Sequence, residues 1–289
     1  MIRTVEEYTP EVVEASKSTL IELMVILHSY SDSLVLIGGW VPYFLLKKFQ
    51  KSSNNFNHIG SLDIDIAVNP EKIDADAYAT IVELISDRGY QNKKYPSGAV
   101  SPYSFEKAIP SPITNKEYTI AVDFLTSQPN ILTGGHHRHR KIQSDLRARM
   151  MRGCEAVFQH NMKYELSGIL PKDGETIVKF KMADIVGSLS TKGIALGERY
   201  REKDAYDIYA LIANYKGGPA DVALEVKPWL AEPLVSEGIQ NIKGKFRDIK
   251  VDGPSWVANF LYPHDKDEEA RKRVRADAFM FMKKFIEKL

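Results

Sequence analysis

The sequence predicts an α/β fold of the α+β kind: a mixed sheet flanked by helices, followed by a helical domain. Three observations carry this. Short apolar runs with strand character alternate with helical stretches up to about residue 182. Beyond that point the strand patterns stop, and residues 183–289 are helical in pattern. The interruptions there, Gly217-Gly218-Pro219 and Asp252-Gly253-Pro254, are turn sequences. The expected domains are therefore 1–182 and 183–289.

Taken in order, Thr9-Pro10-Glu11 starts a helix with a capping residue, a proline where no N–H is needed, and an acid at the positive end. Leu20, Leu23, Met24 and Leu27 continue it at helical spacing to about Tyr30. Leu34–Ile37 reads as a buried strand ending at Gly38-Gly39. Trp40–Phe49 reads as a helix, with Pro42 tolerated in the first turn. An Asn-rich loop leads to a strand over Leu62–Val68, then a helix over Ala75–Arg88 stopped by Gly89. Tyr103–Ala108 and Tyr118–Leu125 form strands on either side of a Pro110–Asn115 turn. His136–Arg152 reads as a basic loop entering a helix. Met162–Ser167 and Thr176–Lys181 form a hairpin around Lys172-Asp173-Gly174. The last stretch places Val274, Ala278, Phe281, Met282 and Phe285 on one face of an amphipathic helix.

Composition excludes several classes. A chain of 289 residues with 44% hydrophobic and 27% charged residues is that of an ordinary soluble globular protein. Its 39 basic and 38 acidic residues leave a net charge of +1, so any positive binding surface must be local. The single cysteine, Cys154, rules out an internal disulfide and a Cys-pair zinc site, and reads as a small buried hydrophobe. Met1–Pro10 holds Arg3, Glu6 and Glu7 and does not read as a signal peptide. No apolar run approaches the ~20 residues of a membrane span, and a reducing, cytoplasmic location is expected.

The chemistry is concentrated in a few acids. In Ser61-Leu62-Asp63-Ile64-Asp65-Ile66, alternation turns Asp63 and Asp65 to one face and the isoleucines to the core. Two carboxylates roughly 6.5–7 Å apart along a strand can converge on one divalent ion, and without a cation they repel. Acids are poor strand formers, so the pair breaks a local rule where function is expected; the alternative is an edge strand with a wetted face. Asp123 lies in a second apolar strand, Ile120–Leu125. Three acids on neighbouring strands make a hard oxygen site suited to Mg²⁺, with room for two ions. Gly38-Gly39, between a strand and a helix, offers backbone N–H groups to a triphosphate, although a Gly-Gly pair alone is more often a plain turn.

With these residues in view, Leu36–Trp40, Ser61–Asp65 and Val122–Leu125 resemble the DNA polymerase beta-like nucleotidyltransferase superfamily. The stretch Thr191–Arg199, continued by Lys203-Asp204-Ala205-Tyr206-Asp207-Ile208, resembles its AbiEii-type branch, found as toxins in toxin–antitoxin and phage-defence operons. The resemblance covers roughly Leu34 to Leu211. It implies that Asp63, Asp65 and Asp123 bind the metals, with Asp123 helping to activate the acceptor hydroxyl. It implies that Gly38, Gly39 and Ser61 hold the triphosphate, that Lys192 and Arg199 serve the nucleotide, and that Asp204 supports the site from the helical domain. The implied cofactor is Mg²⁺, two ions, with an NTP as substrate. The implied acceptor is tRNA or protein, with a cognate antitoxin as partner. The interval from Gly39 to Asp63 is longer than in compact members, and Ile59 and Gly60 precede Ser61 where relatives carry an arginine; His58 is the nearest basic residue.

Other features are weighed beside this. Lys192 and Arg199 lie seven apart, two helical turns on one face, and Lys203 with Asp207 reads as a surface i,i+4 pair. Between His136 and Arg152, the six cations Arg138, Arg140, Lys141, Arg147, Arg149 and Arg152 face one acid, Asp145. That patch is either a solvated loop or a landing surface for RNA phosphates or the nucleotide tail. Gly238–Lys245 superficially matches a phosphate-binding loop, but the spacing is off by one and Phe246 stands where Ser or Thr is needed. Two further functions stay open: a small-molecule nucleotidyltransferase of the antibiotic-modifying kind, and a non-catalytic nucleotide-binding or antitoxin-like module.

Overall fold

The computed structural model describes residues 4–73, 79–128, 138–171, 174–264 and 268–289. The elements in chain order are α1 (Pro10–Ile26), β1 (Leu34–Ile37), α2 (Trp40–Phe49), β2 (Ile64–Val68), α3 (Ile81–Ser86), β3 (Gln91–Lys94), β4 (Val100–Pro110) and β5 (Glu117–Thr126). There follow β6 (His139–Lys141), β7 (Arg147–Met150), α4 (Cys154–Gln159), β8 (Asn161–Ile169) and β9 (Glu175–Ala183). The remainder is helical: α5 (Ile185–Glu198), α6 (Glu202–Asn214), α7 (Pro219–Val226), α8 (Pro233–Lys245), α9 (Asp252–Leu261) and α10 (Glu268–Ile286). This is the mixed α/β architecture that the sequence predicts. Among the described residues no helix is long and apolar enough to cross a membrane.

Two compact units emerge, and their boundaries are not consecutive in the chain. The sheet unit comprises Thr9–Gly38 and Ser61–Ala183; the helical unit comprises Met1–Tyr8, Gly39–Gly60 and Asp184–Leu289. A single cut at 182/183 therefore leaves out two features, the assignment to the helical unit of Met1–Tyr8 and, more extensively, of Gly39–Gly60. The physical reason for the second is α2, which buries Trp40, Val41, Phe44, Leu45 and Leu46 and packs on α5 and α6.

In the sheet unit the strand order is β3-β4-β5-β2-β1-β9-β8, with β7 joining β5 and β6 joining β7. The pairs β2–β5, β1–β9 and β5–β7 are parallel and the others antiparallel. Central strands are apolar: Leu34–Ile37 are all buried, as are Ile64, Ile66, Val122 and Phe124. Helix α1 begins at Pro10 with Thr9 as its cap residue and packs against the sheet. Its Glu22 is buried, yet satisfied by the Tyr90 hydroxyl at 2.7 Å and the Lys107 ammonium at 2.8 Å.

Two sequence expectations change, and one strand goes unannounced by the sequence. The stretch read as a basic loop entering a helix is instead an edge hairpin, β6 and β7, before the short α4. Alternation explains it: Ala148 is buried between exposed Arg147 and Arg149, and the cations sit on an edge that solvent wets. β3 is polar throughout and carries no apolar pattern to reveal it. Of the expected 75–88 helix, the described part is α3, entered by a capping box in which Thr80 and Glu83 exchange hydrogen bonds. His136, His137, Lys172 and Asp173 lie outside the described residues.

The helical unit packs α5 tightly on α8. A Cβ at Gly193 would sit 2.2 Å from the Gly238 carbonyl oxygen, and one at Gly238 would sit 2.6 Å from that of Ser190. Gly238 thus serves helix contact, in line with the rejection of a phosphate loop there. Trp256 is buried, while Trp229 is 44% exposed. Cys154 is buried as expected, and burial pushes its thiol pKa well up.

Candidate active site

In the sheet unit, β2 and β5 run parallel with Asp65 opposite Asp123. Paired residues on neighbouring strands share a face. The two carboxylates therefore stand side by side, while Ile64, Ile66, Val122 and Phe124 fill the other face. Asp63 immediately precedes β2, two residues before Asp65, and the Ser61 hydroxyl donates to its Oδ1 at 3.2 Å. All three aspartates are half-buried. The core holds the strands on one face and leaves the acids on a face that water reaches.

The pKa of Asp123 is raised. Burial is the main cause, opposed by a hydrogen bond from Ser104, and the negative charge of Asp63 raises it further; Lys93 and Arg149 act in the opposite direction. The Ser104 hydroxyl donates to Asp123 Oδ1 across the β4–β5 register, where the two residues are partners. Ser104 was not legible as a site residue. Ser101-Pro102-Tyr103-Ser104 looks like a loop border, and only strand pairing brings it to the acid.

Gly38 ends β1 with φ +75°, a conformation that side chains disfavour. A Cβ there would lie 2.1 Å from Asp65 Oδ2, so the absence of a side chain is what admits the carboxylate. Asp63, Asp65, Asp123, Gly38 and Ser61 thus belong to one unit; Gly39, Lys192, Arg199 and Asp204 belong to the other.

In the helical unit the last three join a buried charge cluster whose hub is Asp207. Asp207 Oδ2 accepts from Lys192 at 2.7 Å, while Oδ1 accepts from Lys203 and from His58 Nε2, the latter at 2.9 Å. Lys192 also donates to Asp204 Oδ1 at 3.1 Å. The Gly60 N–H donates to His58 Nδ1 at 3.1 Å, so that nitrogen carries no proton and the ring is the neutral Nε2–H tautomer. Burial and the charge of Lys203 lower the His58 pKa to about 4, against the pull of Asp207. Burial would raise Asp207, but Lys192 and Lys203 hold it far below the usual carboxylate range. Burial would lower Lys192, but Asp207 and Asp204 keep it above its ordinary value.

Two readings of this stretch are corrected. Arg199 is not on a helical face with Lys192: α5 ends at Glu198, and Arg199 is an extended cap residue whose Nη2 lies 3.9 Å from Asp204 Oδ2. The Lys203–Asp207 pair is not a surface pair, because Asp207 is fully buried. Asp207 and His58 are the residues that sequence reasoning undervalued. The signal was an acid one helical turn after Lys203, flanked by Tyr206 and Ile208.

Among the described residues no three His, Cys, Asp or Glu side chains are gathered as a ready-made metal cluster. The donor set still suits a hard divalent cation in kind. It offers carboxylate oxygens on one sheet face, two of them from paired strands and the third two residues along.

The fold and this acid face define a mixed α/β protein with a candidate carboxylate site on its sheet. No family model matches the chain, and no curated protein does. Two solved structures are similar to it. One is JHP933 from Helicobacter pylori, 14% identical over 96% of this chain and 95% of that one, with a TM-score of 0.38. The other is an antigenic nucleotidyltransferase-like protein from Paracoccidioides brasiliensis, 12% identical over 95% of each chain, with a TM-score of 0.45.

Proposed function

We propose that this chain is a metal-dependent nucleotidyltransferase that moves a nucleoside monophosphate from an NTP to an acceptor hydroxyl and releases pyrophosphate. The observation that carries the reading is the in-register pair Asp65 and Asp123, with Asp63 beside them and side-chain-free Gly38 against Asp65. A purely structural strand would not place carboxylates there, because their repulsion and desolvation are costly.

In this proposal Asp63, Asp65 and Asp123 hold Mg²⁺, which when bound polarises the phosphoryl oxygens and neutralises the leaving group. Asp123 takes the proton of the acceptor hydroxyl. Ser61 and the backbone at Gly38-Gly39 hold the triphosphate. Within the helical unit the Asp207 hub keeps Lys192 charged. On the sequence resemblance, the acceptor is tRNA or protein, and the protein is the toxin of a toxin–antitoxin or phage-defence pair with a cognate antitoxin.

The test is incubation with each labelled NTP, Mg²⁺ and a cell extract, followed by separation of RNA from protein. Label should enter one of the two fractions, and Asp63→Asn should reduce incorporation by roughly 100-fold or more. Equal incorporation by Asp63→Asn overturns the metal site; no incorporation from any NTP overturns the transferase.

A further inference from the structure

The face that carries the acids continues into a strip of a different character. Strand β5 gives up β4 as its neighbour near Asp123 and takes β7 instead, with Leu125 paired to Arg149 and Arg149 to His139. Paired residues share a face, and so do residues two apart on a strand. Arg149, Arg147 and His139 therefore stand on the same sheet face as Asp123, and both arginines are exposed. Arg147 and Arg149 are roughly 6.5–7 Å apart along the strand, a spacing that suits successive phosphates of an extended chain.

Aromatic rings interleave with these cations. The Tyr103 ring lies 6.5 Å from that of His139. The Tyr103 hydroxyl is 3.2 Å from that of Tyr95, and Tyr95 is 40% exposed. The charges of Arg149 and Asp123 both reach Tyr103, and those of Lys93 and Asp123 both reach Tyr95. Both rings are thus close enough to feel the cations and the acid. Net charge over the whole chain is only +1, so this local concentration is not a by-product of a basic protein.

We propose that this face is a binding surface for a single-stranded polynucleotide, whose end enters the carboxylate site. Lys93, Arg147 and Arg149 take backbone phosphates, and Tyr95, Tyr103 and His139 stack on unpaired bases. The combination of rings and cations separates this occupant from an acidic protein, which needs only the cations. It also separates it from a duplex, whose bases are already stacked. The link to the carboxylate site rests on the transferase reading; the binding surface does not.

The experiment is fluorescence anisotropy with a labelled, mixed-sequence single strand of about 12 nucleotides, a length within the usual site range, as RNA and as DNA. No NTP is present, so binding is read apart from catalysis. Wild type should bind the single strand more tightly than the duplex of the same sequence, and the affinity should fall steeply with salt. Tyr103→Ala and Tyr95→Ala should each weaken binding by roughly 5- to 100-fold, with Tyr103→Phe retaining it. Arg147→Gln with Arg149→Gln should weaken binding and flatten the salt dependence. Circular dichroism confirms that each variant is folded. The proposal fails if duplex binds as tightly as single strand. It fails if the alanine variants bind like wild type, or if polyglutamate competes as well as the oligonucleotide. Asp63→Asn separates the two claims: it should abolish transfer and keep this binding. Binding without transfer in the wild type would sink only the enzymatic reading, and transfer indifferent to Tyr103 would sink only this one.

Discussion

Acidifying the protein from pH 7 to pH 5 should weaken the helical unit through a single side chain, His58. The ring is buried, accepts a hydrogen bond from the Gly60 N–H on one nitrogen and donates to Asp207 with the other. A second proton would break the Gly60 bond and add a cation beside Lys192 and Lys203. The folded pKa is accordingly lowered to about 4 from 6.5. A base with a depressed folded pKa contributes stability that is present above the unfolded pKa and is lost as pH falls toward the folded one. Linkage between these two values gives a loss of about 2 kcal/mol between pH 7 and pH 5. The depressed Asp207 adds its own loss only below the ordinary aspartate range, so the pH 5–7 window isolates the histidine. All three tryptophans, Trp40, Trp229 and Trp256, lie in the helical unit, so urea unfolding followed by tryptophan emission reports that unit. His58→Gln keeps an N–H for Asp207 and removes the titration. Its stability should change between pH 7 and pH 5 by about 2 kcal/mol less than the wild type does. Parallel pH profiles in the two proteins would refute the buried, neutral histidine.

Gly38→Ala places a Cβ into Asp65 Oδ2 at a positive φ, so we expect about 1–3 kcal/mol of destabilisation in urea melts and a loss of NTP-dependent labelling. A variant with wild-type stability and labelling would show that this close approach has no role. Ser104→Ala removes the hydrogen bond that lowers the Asp123 pKa. In the protein without Mg²⁺ the Asp123 carboxyl, followed by NMR titration, should therefore titrate at higher pH in the variant; an unmoved titration would show that the Ser104 hydroxyl does not hold this acid.

How much of the site was legible follows from which residues break their local rules. Asp63 and Asp65 stand out because they interrupt an apolar run of the sequence at alternate positions, and Asp123 because a single acid sits among Ile120, Val122, Phe124 and Leu125. Local pattern reveals such residues, since strand alternation is a property of neighbours in the chain. Ser104 was not legible, because its claim rests on the β4–β5 register and nothing in its own neighbourhood announces it. The β6–β7 hairpin was missed for a related reason. Strands this charged become strands only by pairing to an edge, and the partner, Leu125, is far away in sequence.

The sequence by itself determined the mixed sheet, the helical stretch after Ala183 and the positions of the three aspartates, because periodicity and turn chemistry act over a few residues. Tertiary structure alone decided that Asp65 faces Asp123, that α2 belongs with the helical unit, and that Asp207 is the buried hub joining Lys192, Lys203 and His58. The Lys203–Asp207 spacing reads equally as a wetted surface pair, and burial is what separates the two meanings. Burial depends on what the rest of the chain packs against a residue, and no local pattern contains it.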